Sequence, residues 1–303
     1  MHGRTLLGTA AGLALATGLT TAQTFRAGVE LVSVGVTVTD RSGAIVTGLT
    51  RDDFRIVEDG RPQSIVQFTA GLETSNGADP VATHLGLLLD TSGSMEVDLK
   101  LSRSAAIKFL NTLPAAADIT LVDFDTEVRV ARYGQREFPR LVERIRGRKP
   151  GGYTALYDAL GVYLDGADGQ DGRKILVLYT DGGDTRSALP YGDLLTLLKA
   201  SDVTVHAVGF LDNQGSGAHE NRMRLQQMVD QTGGQAFFPD KLADLDEAYA
   251  KVVAEIRGQY HLGYASTNPA EDGAWRKVEV KTIRRDLTVR GRKGYFARYR
   301  PSR

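Results

Sequence analysis

Five oxygen-bearing side chains stand where this sequence leaves a strand-like run or enters a helix-like one: Asp90, Ser92, Ser94, Thr154 and Asp181. The stretch Asp90-Thr91-Ser92-Gly93-Ser94 delivers one carboxylate and two hydroxyls at i, i+2 and i+4 of a single loop. Thr154 adds a hydroxyl after the flexible pair Gly151-Gly152, and Asp181 follows in Thr180-Asp181-Gly182-Gly183-Asp184. A set that offers only oxygen suits a hard divalent cation, Mg2+ or Mn2+. One Ser, Thr or Asp ahead of a helix is commonest as an N-cap, so Ser92 or Thr154 alone would carry little. The five together, in order on successive element ends, argue for a metal site.

The elements around them have to place these groups on one face. Leu85–Leu89 is a continuous apolar run ending at Asp90, and Ile175–Tyr179 is another ending at Thr180-Asp181. Such runs are expected of strands buried on both faces. Further strands are read at Ile119–Phe124, Val128–Ala131 (an edge), Val203–Phe210 and Ala236–Phe238. Helical patterning covers Leu99–Leu113, Phe138–Ile145, Ala155–Ala167, Leu189–Ala200, Arg222–Gln231 and Leu242–Ile256. Strands alternating with helices imply an α/β domain over 82–258, with a doubly wound, mostly parallel sheet whose ligand lies at the carboxyl ends of the strands. His84 and His206 fall in strands and read as core histidines rather than ligands. Asp123 has two readings, support of the site or an irregular strand end, of which the second is the plainer.

Both flanks change period. Val32, Val34, Val36 and Val38 alternate with small or polar residues, the pattern of a half-buried antiparallel strand. Phe54–Glu58 enters a hairpin at Asp59-Gly60, with Ile65–Phe68 as its return, and residues 71–80 form a polar linker. After Gly258, strands are read at Tyr260–Ala265, Trp275–Ile283, Leu287–Arg290 and Gly294–Tyr299. Either flank, 29–70 or 260–299, makes a thin, edge-rich sheet alone. We therefore expect the two to combine into one β-sandwich-like domain in which the α/β domain is inserted.

Composition narrows the classes of function. Lys+Arg and Asp+Glu balance at 37 each, so no overall field draws the chain to nucleic acid or anionic lipid. His2 and Arg4 precede an apolar stretch, Leu6–Leu19, followed by Thr20-Thr21-Ala22, which reads as a secretory signal over 1–22 and places the protein in the periplasm or outside the cell. That 14-residue run falls short of the ~20 residues that span a bilayer. No later stretch is apolar enough, so no membrane span is expected after cleavage. The chain has no cysteine, which excludes disulfides, thiolate metal sites and a lipid-modified cysteine anchor.

Taken with their spacing, the five residues resemble the metal-ion-dependent adhesion site of von Willebrand factor type A domains. The family's Asp-x-Ser-x-Ser falls on Asp90, Ser92 and Ser94, its threonine on Thr154 and its second aspartate on Asp181. The neighbouring text Thr-Ala-Leu-Tyr-Asp-Ala and Leu-Tyr-Thr-Asp-Gly-Gly-Asp also suits it. The resemblance covers about 82–258. It implies that the hydroxyls bind the metal directly, the aspartates often through water, and that one position is left for an acidic residue of a partner. Charge agrees: two aspartates neutralise a divalent ion and hydroxyls add nothing, so the ion retains affinity for a further carboxylate. Asp184, the nearest third carboxylate, is read as a solvated loop residue or a support of the site. Met95, Tyr153 and Asp184, with His219 and Glu220 of the polar loop Asp212–Asn221, are expected to form the rim that meets the partner. The flanks, with Gly-Leu-Thr-Arg-Asp-Asp-Phe-Arg-Ile-Val-Glu-Asp-Gly before the domain and Arg292-Lys-Gly-Tyr-Phe-Ala297 after it, resemble a bacterial family related to these domains.

Three functions compete. The first is a divalent-metal-dependent protein-binding module whose site is completed by an Asp or Glu of the partner. The second is a structural or assembly subunit of an envelope or secretion complex, which would use the same face. The third, a metal-dependent hydrolase, is disfavoured because no Gly-x-Ser-x-Gly elbow, His-Glu-x-x-His or phosphate loop is present. We expect no enzymatic activity.

Overall fold

A computed structural model describes residues 31–71, 82–112, 116–212, 215–239 and 242–300. The expected signal segment 1–22, residues 29 and 30, and nearly all of the polar linker lie outside the described residues.

The amino-terminal flank supplies four strands, β1 (Leu31–Thr39), β2 (Phe54–Glu58), β3 (Arg61–Gln63) and β4 (Ile65–Ala70). The hairpin at Asp59-Gly60 forms as expected, with both residues at positive φ (47° and 82°), the geometry a two-residue turn needs. Its return strand, however, is the short β3 and not Ile65–Phe68. The chain leaves that sheet after Gln63, and β4 belongs to a different one. A two-residue turn fixes the register from Glu58↔Arg61 onward, so the partner of β2 has to begin at once.

The central domain follows with β5 (Thr83–Asp90), α1 (Leu99–Thr112), β6 (Asp118–Phe124), β7 (Val128–Gly134), α2 (Phe138–Gly147), α3 (Leu156–Asp168), β8 (Arg173–Thr180), α4 (Tyr191–Ala200), β9 (Thr204–Gly209), α5 (Ala218–Thr232), β10 (Ala236–Phe237) and α6 (Leu242–Gly258). Its sheet has the order β10-β9-β8-β5-β6-β7, parallel except for the edge strand β7. Odd-numbered residues of β5 (Leu85, Leu87, Leu89) enter one core with Phe109 of α1, Leu141 of α2 and Val252 of α6. Leu88 enters the other, with Leu160 of α3, Leu194 of α4 and Leu225 of α5. Burial on both faces is why these strands read as unbroken apolar runs. Gly86 sits where a Cβ would lie 2.3 Å from the Tyr163 ring, so its lack of a side chain lets α3 dock against β5.

The carboxyl-terminal flank contributes β11 (Tyr260–Ala265), β12 (Trp275–Thr282), β13 (Thr288–Gly291) and β14 (Gly294–Phe296). The two flanks interleave into two four-stranded sheets, β13-β1-β11-β4 and β14-β12-β2-β3. Their shared core holds Val32, Val34, Val36, Val38, Phe54, Ile56, Tyr260 and Val278, with Val280, Val289 and Tyr295 packed against it. The expected sandwich, with an α/β domain inserted in it, is therefore the fold. Tyr260 is its keystone. Its ring lies 5.1 Å from that of Phe54, and its hydroxyl donates to Val46 O (2.9 Å) and accepts from Leu49 N (3.1 Å). Tyr260→Ala should cost about 3–5 kcal/mol, as deletion of a buried aromatic does. Urea unfolding of the full chain reads this directly, and a loss below about 1 kcal/mol would contradict the packing described.

The inserted domain leaves from the end of the β4–β11 ladder, whose last pair is Tyr260↔Ala70. Gly71 N donates to Gln259 O (3.0 Å) just beyond it. Arg173, buried at the start of β8, ties the junction together, donating to Gly71 O (2.8 Å), Ile256 O (2.8 Å) and the Gln259 side chain. Burial lowers its guanidinium to about 10, yet three oxygen partners keep the charge in place.

Candidate metal site

The strand order reverses between β5 and β8, which makes the crevice beyond their carboxyl ends the natural ligand position of such a sheet. Asp90 closes β5, and Asp181 follows directly on β8. Both are buried, Asp90 at 0% exposure and Asp181 at 2%. Asp90 Oδ1 accepts from Ser92 N (2.9 Å) and Oδ2 from Thr180 Oγ1 (2.6 Å). Ser92 and Ser94 face each other with hydroxyl oxygens 3.1 Å apart.

Thr154 is brought in by its loop. Gly93 N donates to Gly152 O (3.2 Å) and Gly151 N to Thr91 O (3.0 Å), so the Asp90–Ser94 and Gly151–Thr154 loops are laced together. Gly152 has φ 76°, and a Cβ there would sit 2.5 Å from Thr126 Oγ1, the atom that accepts from Tyr153 N. Glycine is needed there by conformation and by space. Thr154 is buried, its N–H donating to Thr185 Oγ1 (3.0 Å).

Whether these residues fit a cation is decided by how their charges are balanced. Asp181 Oδ1 accepts from Gly183 N (3.1 Å), but Oδ2 is enclosed with no hydrogen-bond partner. Burial, and then the neighbouring Asp181 charge, push Asp90 up to about 7, against the lowering effect of Ser92 and Thr180. Among the described residues, no Lys or Arg pairs with either carboxylate. Asp123, one strand away and equally buried, is by contrast surrounded by cations. It takes Arg129 (2.8 Å), Arg144 (2.6 Å) and Arg148 (2.7 Å). Two adjacent buried carboxylates without a counter-charge, one oxygen unpartnered, with three hydroxyl residues around them, fit a divalent cation. The described residues hold no cluster of three or more His, Cys, Asp or Glu side chains placed for an ion, so any metal here relies on the hydroxyls.

Other expectations need correction. Met95 is not on the rim. The turn Gly93–Met95, closed by Met95 N to Ser92 O (3.1 Å), folds it inward to 0% exposure beside Leu89 and Tyr179. His219 and Glu220 do not lie in a loop but in the first turn of α5, which starts four residues earlier than the apolar pattern suggests. Glu220 pairs with Arg224, whose guanidinium also donates to Tyr157 OH (2.6 Å). Asn221, next along α5, donates to Asp181 O (3.3 Å), which sets this helix against the site. Tyr153 does stand out, 66% exposed. Asp184 is half-buried and accepts from Ser187 N (3.2 Å), a turn-forming role. Asp123 supports neither reading given to it. It projects to the face opposite Asp90 and anchors the arginines of α2 and the segment after it. His206 is buried with its Nδ1 accepting from Gln235 N (3.3 Å), and burial depresses it to about 3, a neutral core histidine. His84 Nδ1 lies 3.1 Å from Asp118, at the far end of β5.

Sequence reasoning missed Thr180, Thr185 and Thr126, whose hydroxyls orient Asp90, Thr154 and Tyr153. It also missed Val97, an apolar side chain left 71% exposed between the Asp90–Ser94 loop and α1. An isolated valine between Glu96 and Asp98, outside any period, was the only signal.

The profile of the von Willebrand factor type A domain matches residues 84–251. No curated protein is similar in sequence at a significant level. Among solved structures, the chain is similar to a von Willebrand factor type A protein from Catenulispora acidiphila (15% identity, 91% of this chain and 75% of that one, TM-score 0.49). It is also similar to an aerotolerance-related membrane protein from Bacteroides fragilis (16% identity, 57% and 98%, TM-score 0.46). A third is the von Willebrand factor domain of the type V pilus tip protein Mfa5 from Porphyromonas gingivalis (15% identity, 59% and 97%, TM-score 0.46).

Proposed function

Because the chain belongs to the von Willebrand factor type A domain family, we propose that its Asp90–Asp181 face holds Mg2+ or Mn2+ and grips an acidic side chain of a partner protein. The observation that carries this is the uncompensated pair of buried carboxylates with an enclosed, unpartnered Asp181 Oδ2. Ser92, Ser94 and Thr154 would hold the ion through their hydroxyls, with Asp90 and Asp181 balancing its charge. The bound ion would supply an electrophilic position for a carboxylate from outside. Thr180 and Ser92 N fix the Asp90 carboxylate, and Asn221 and Gly183 N hold the Asp181 loop, so the set is arranged before a partner arrives. Tyr153 and Val97 beside it offer apolar contact.

In this reading the site binds and does not catalyse. The Ser92 and Ser94 hydroxyls face each other, and Asp90, the carboxylate that the Ser92 side chain also meets, is in this reading committed to the metal and not to activating a nucleophile. The reading places the protein outside the cytoplasm on the strength of its amino-terminal segment. Among the described residues, no helix is long and apolar enough to cross a membrane. The test is capture of a partner from an extract of the producing cells, with Mg2+ and with excess chelator. Capture should vanish in chelator, with Asp181→Ala, and when one Asp or Glu of the captured partner is replaced. Capture that persists in chelator would overturn a metal-bridged mechanism.

A further inference from the structure

A second charged site opens along α1, between it and the carboxyl end of α2. It is a cavity of about 460 Å3 whose titratable lining is wholly basic: Lys100, Arg103 and Lys108 of α1 and Arg146 of α2, with Ser104 and Asn111 completing the polar wall. Lys108 is paired with Asp246 of α6. Among the described residues, Lys100 and Arg146 make no ion pair.

Arg103 is the telling member. Its Nε and Nη2 are enclosed by protein and have no hydrogen-bond partner. These are the two donors on one edge of the guanidinium, the edge that receives a carboxylate side-on through two parallel bonds. A charged donor enclosed without an acceptor is costly, and burial lowers the Arg103 guanidinium below its ordinary value. Arg103 as a whole is only half-buried, so a small outward swing of its side chain would bring both donors to an incoming oxyanion, which would satisfy them together.

Position suggests the occupant. Lys100 and Arg103 lie in the first two turns of α1, which begins four residues after Met95 of the metal loop. Arg146 is the penultimate residue of α2, whose end runs into Gly151–Thr154. Lys100, Arg103 and Arg146 therefore stand toward the end of the sheet where the Asp90–Asp181 site lies, while Lys108 and Asn111 carry the cavity along α1 away from it. We infer that this basic cavity is a carboxylate-binding subsite, in which Arg103 takes an acidic side chain of the same partner segment whose neighbouring Asp or Glu reaches the metal. The partner presents a cluster of acidic residues, not a single one. This rests on the metal-bridged reading for its second anchor, but the cavity itself does not require the metal.

The test uses the full chain and a fluorescein-labelled hexa-aspartate peptide, followed by fluorescence anisotropy. In excess chelator, where only the basic cavity is available, the wild type should bind the peptide. Arg103→Gln should weaken that binding about tenfold, the scale of a charge-assisted bidentate bond. Arg146→Gln, at an exposed position that leaves the fold untouched, should weaken it several-fold. Lys199→Gln removes the same charge from the exposed end of α4 and should change nothing. Equal peptide affinity in wild type, Arg103→Gln and Arg146→Gln would overturn the subsite, and so would a Lys199→Gln loss as large as theirs. Adding Mg2+ should tighten the wild type further, and Asp181→Ala should abolish that increment alone. Absence of the increment with the Arg103 effect intact would overturn the metal-bridged reading and leave the subsite standing.

Discussion

Replacing Asp181 with asparagine should have two effects of opposite sign. Calorimetric titration with Mg2+ or Mn2+ should lose its binding signal, an affinity loss of about 100-fold or more, near 3 kcal/mol. Metal at about 100 times its Kd should stabilise the wild type by about 2.7 kcal/mol, and the variant should gain nothing. In chelator the order reverses. Asp90 is then relieved of the like charge that raises it, so Asp181→Asn should melt at or above the wild type. The substituted amide keeps an oxygen for Gly183 N and turns a donor toward the position where Oδ2 has no partner. Unchanged metal affinity in both Asp181→Asn and Asp90→Asn would sink the assignment, whatever happened to the melting temperature.

Ending the chain at Gln259 should unfold the amino-terminal strands as well as delete the carboxyl-terminal ones. Among the described residues, β1 has ladders with no strands but β11 and β13, and β4 with none but β11, so truncation leaves β1 a single bridge (Thr39 to Ile45) and β4 no ladder partner. β2 would retain nothing but the three-residue β3. Two isolated edges cannot hold a fold in water. Amide exchange in Leu31–Thr39 and Ile65–Ala70 should accelerate by about 1000-fold or more, toward the rate of an open chain. The central domain, with its own two cores, should retain its protection. Protection of Leu31–Thr39 at the level of the full chain would refute the interleaved sandwich.

The candidate site was legible because its five residues sit at abrupt changes of pattern. Leu85–Leu89 and Ile175–Tyr179 are buried on both faces, so the first polar residue after each run marks a strand end, and both ends fall on one side of a parallel sheet. The valines of β1 were legible for the opposite reason, since only one of their faces is buried. What escaped was decided by contacts between distant segments. Met95 turns inward because the core beneath the loop has room for it, and nothing in Gly-Ser-Met-Glu shows that. Ile65–Ala70 reads equally well as a hairpin return or as a strand of the opposite sheet, since period alone does not choose a partner. The start of α5 at Ala218-His219-Glu220 is polar throughout and carries no apolar stripe to announce it. Asp123 reads as an ordinary acidic strand end until three arginines, up to 25 residues away in sequence, close over it.

The ladder between β4 and β11 places the whole inserted domain where a hairpin would have its turn. Gly71 and Gln259 touch, so the two strands behave as near neighbours only while the stretch between them is folded. Closing that stretch as an open coil would cost roughly 4–5 kcal/mol of chain entropy before the first β4–β11 bond formed. A folded insert has already brought its two ends together, and the remaining search is that of a short turn. The expected order of assembly has the α/β domain forming first from contacts within itself and the sandwich zipping afterwards from the junction outward, which pulse-labelled amide exchange during refolding would check by late protection of Leu31–Thr39. Arg173 stands at the starting point of that zipper, holding Gly71, Ile256 and Gln259 in place. On this account the outer β-structure would be a late-folding shell whose rate of formation depends on the integrity of the domain it carries.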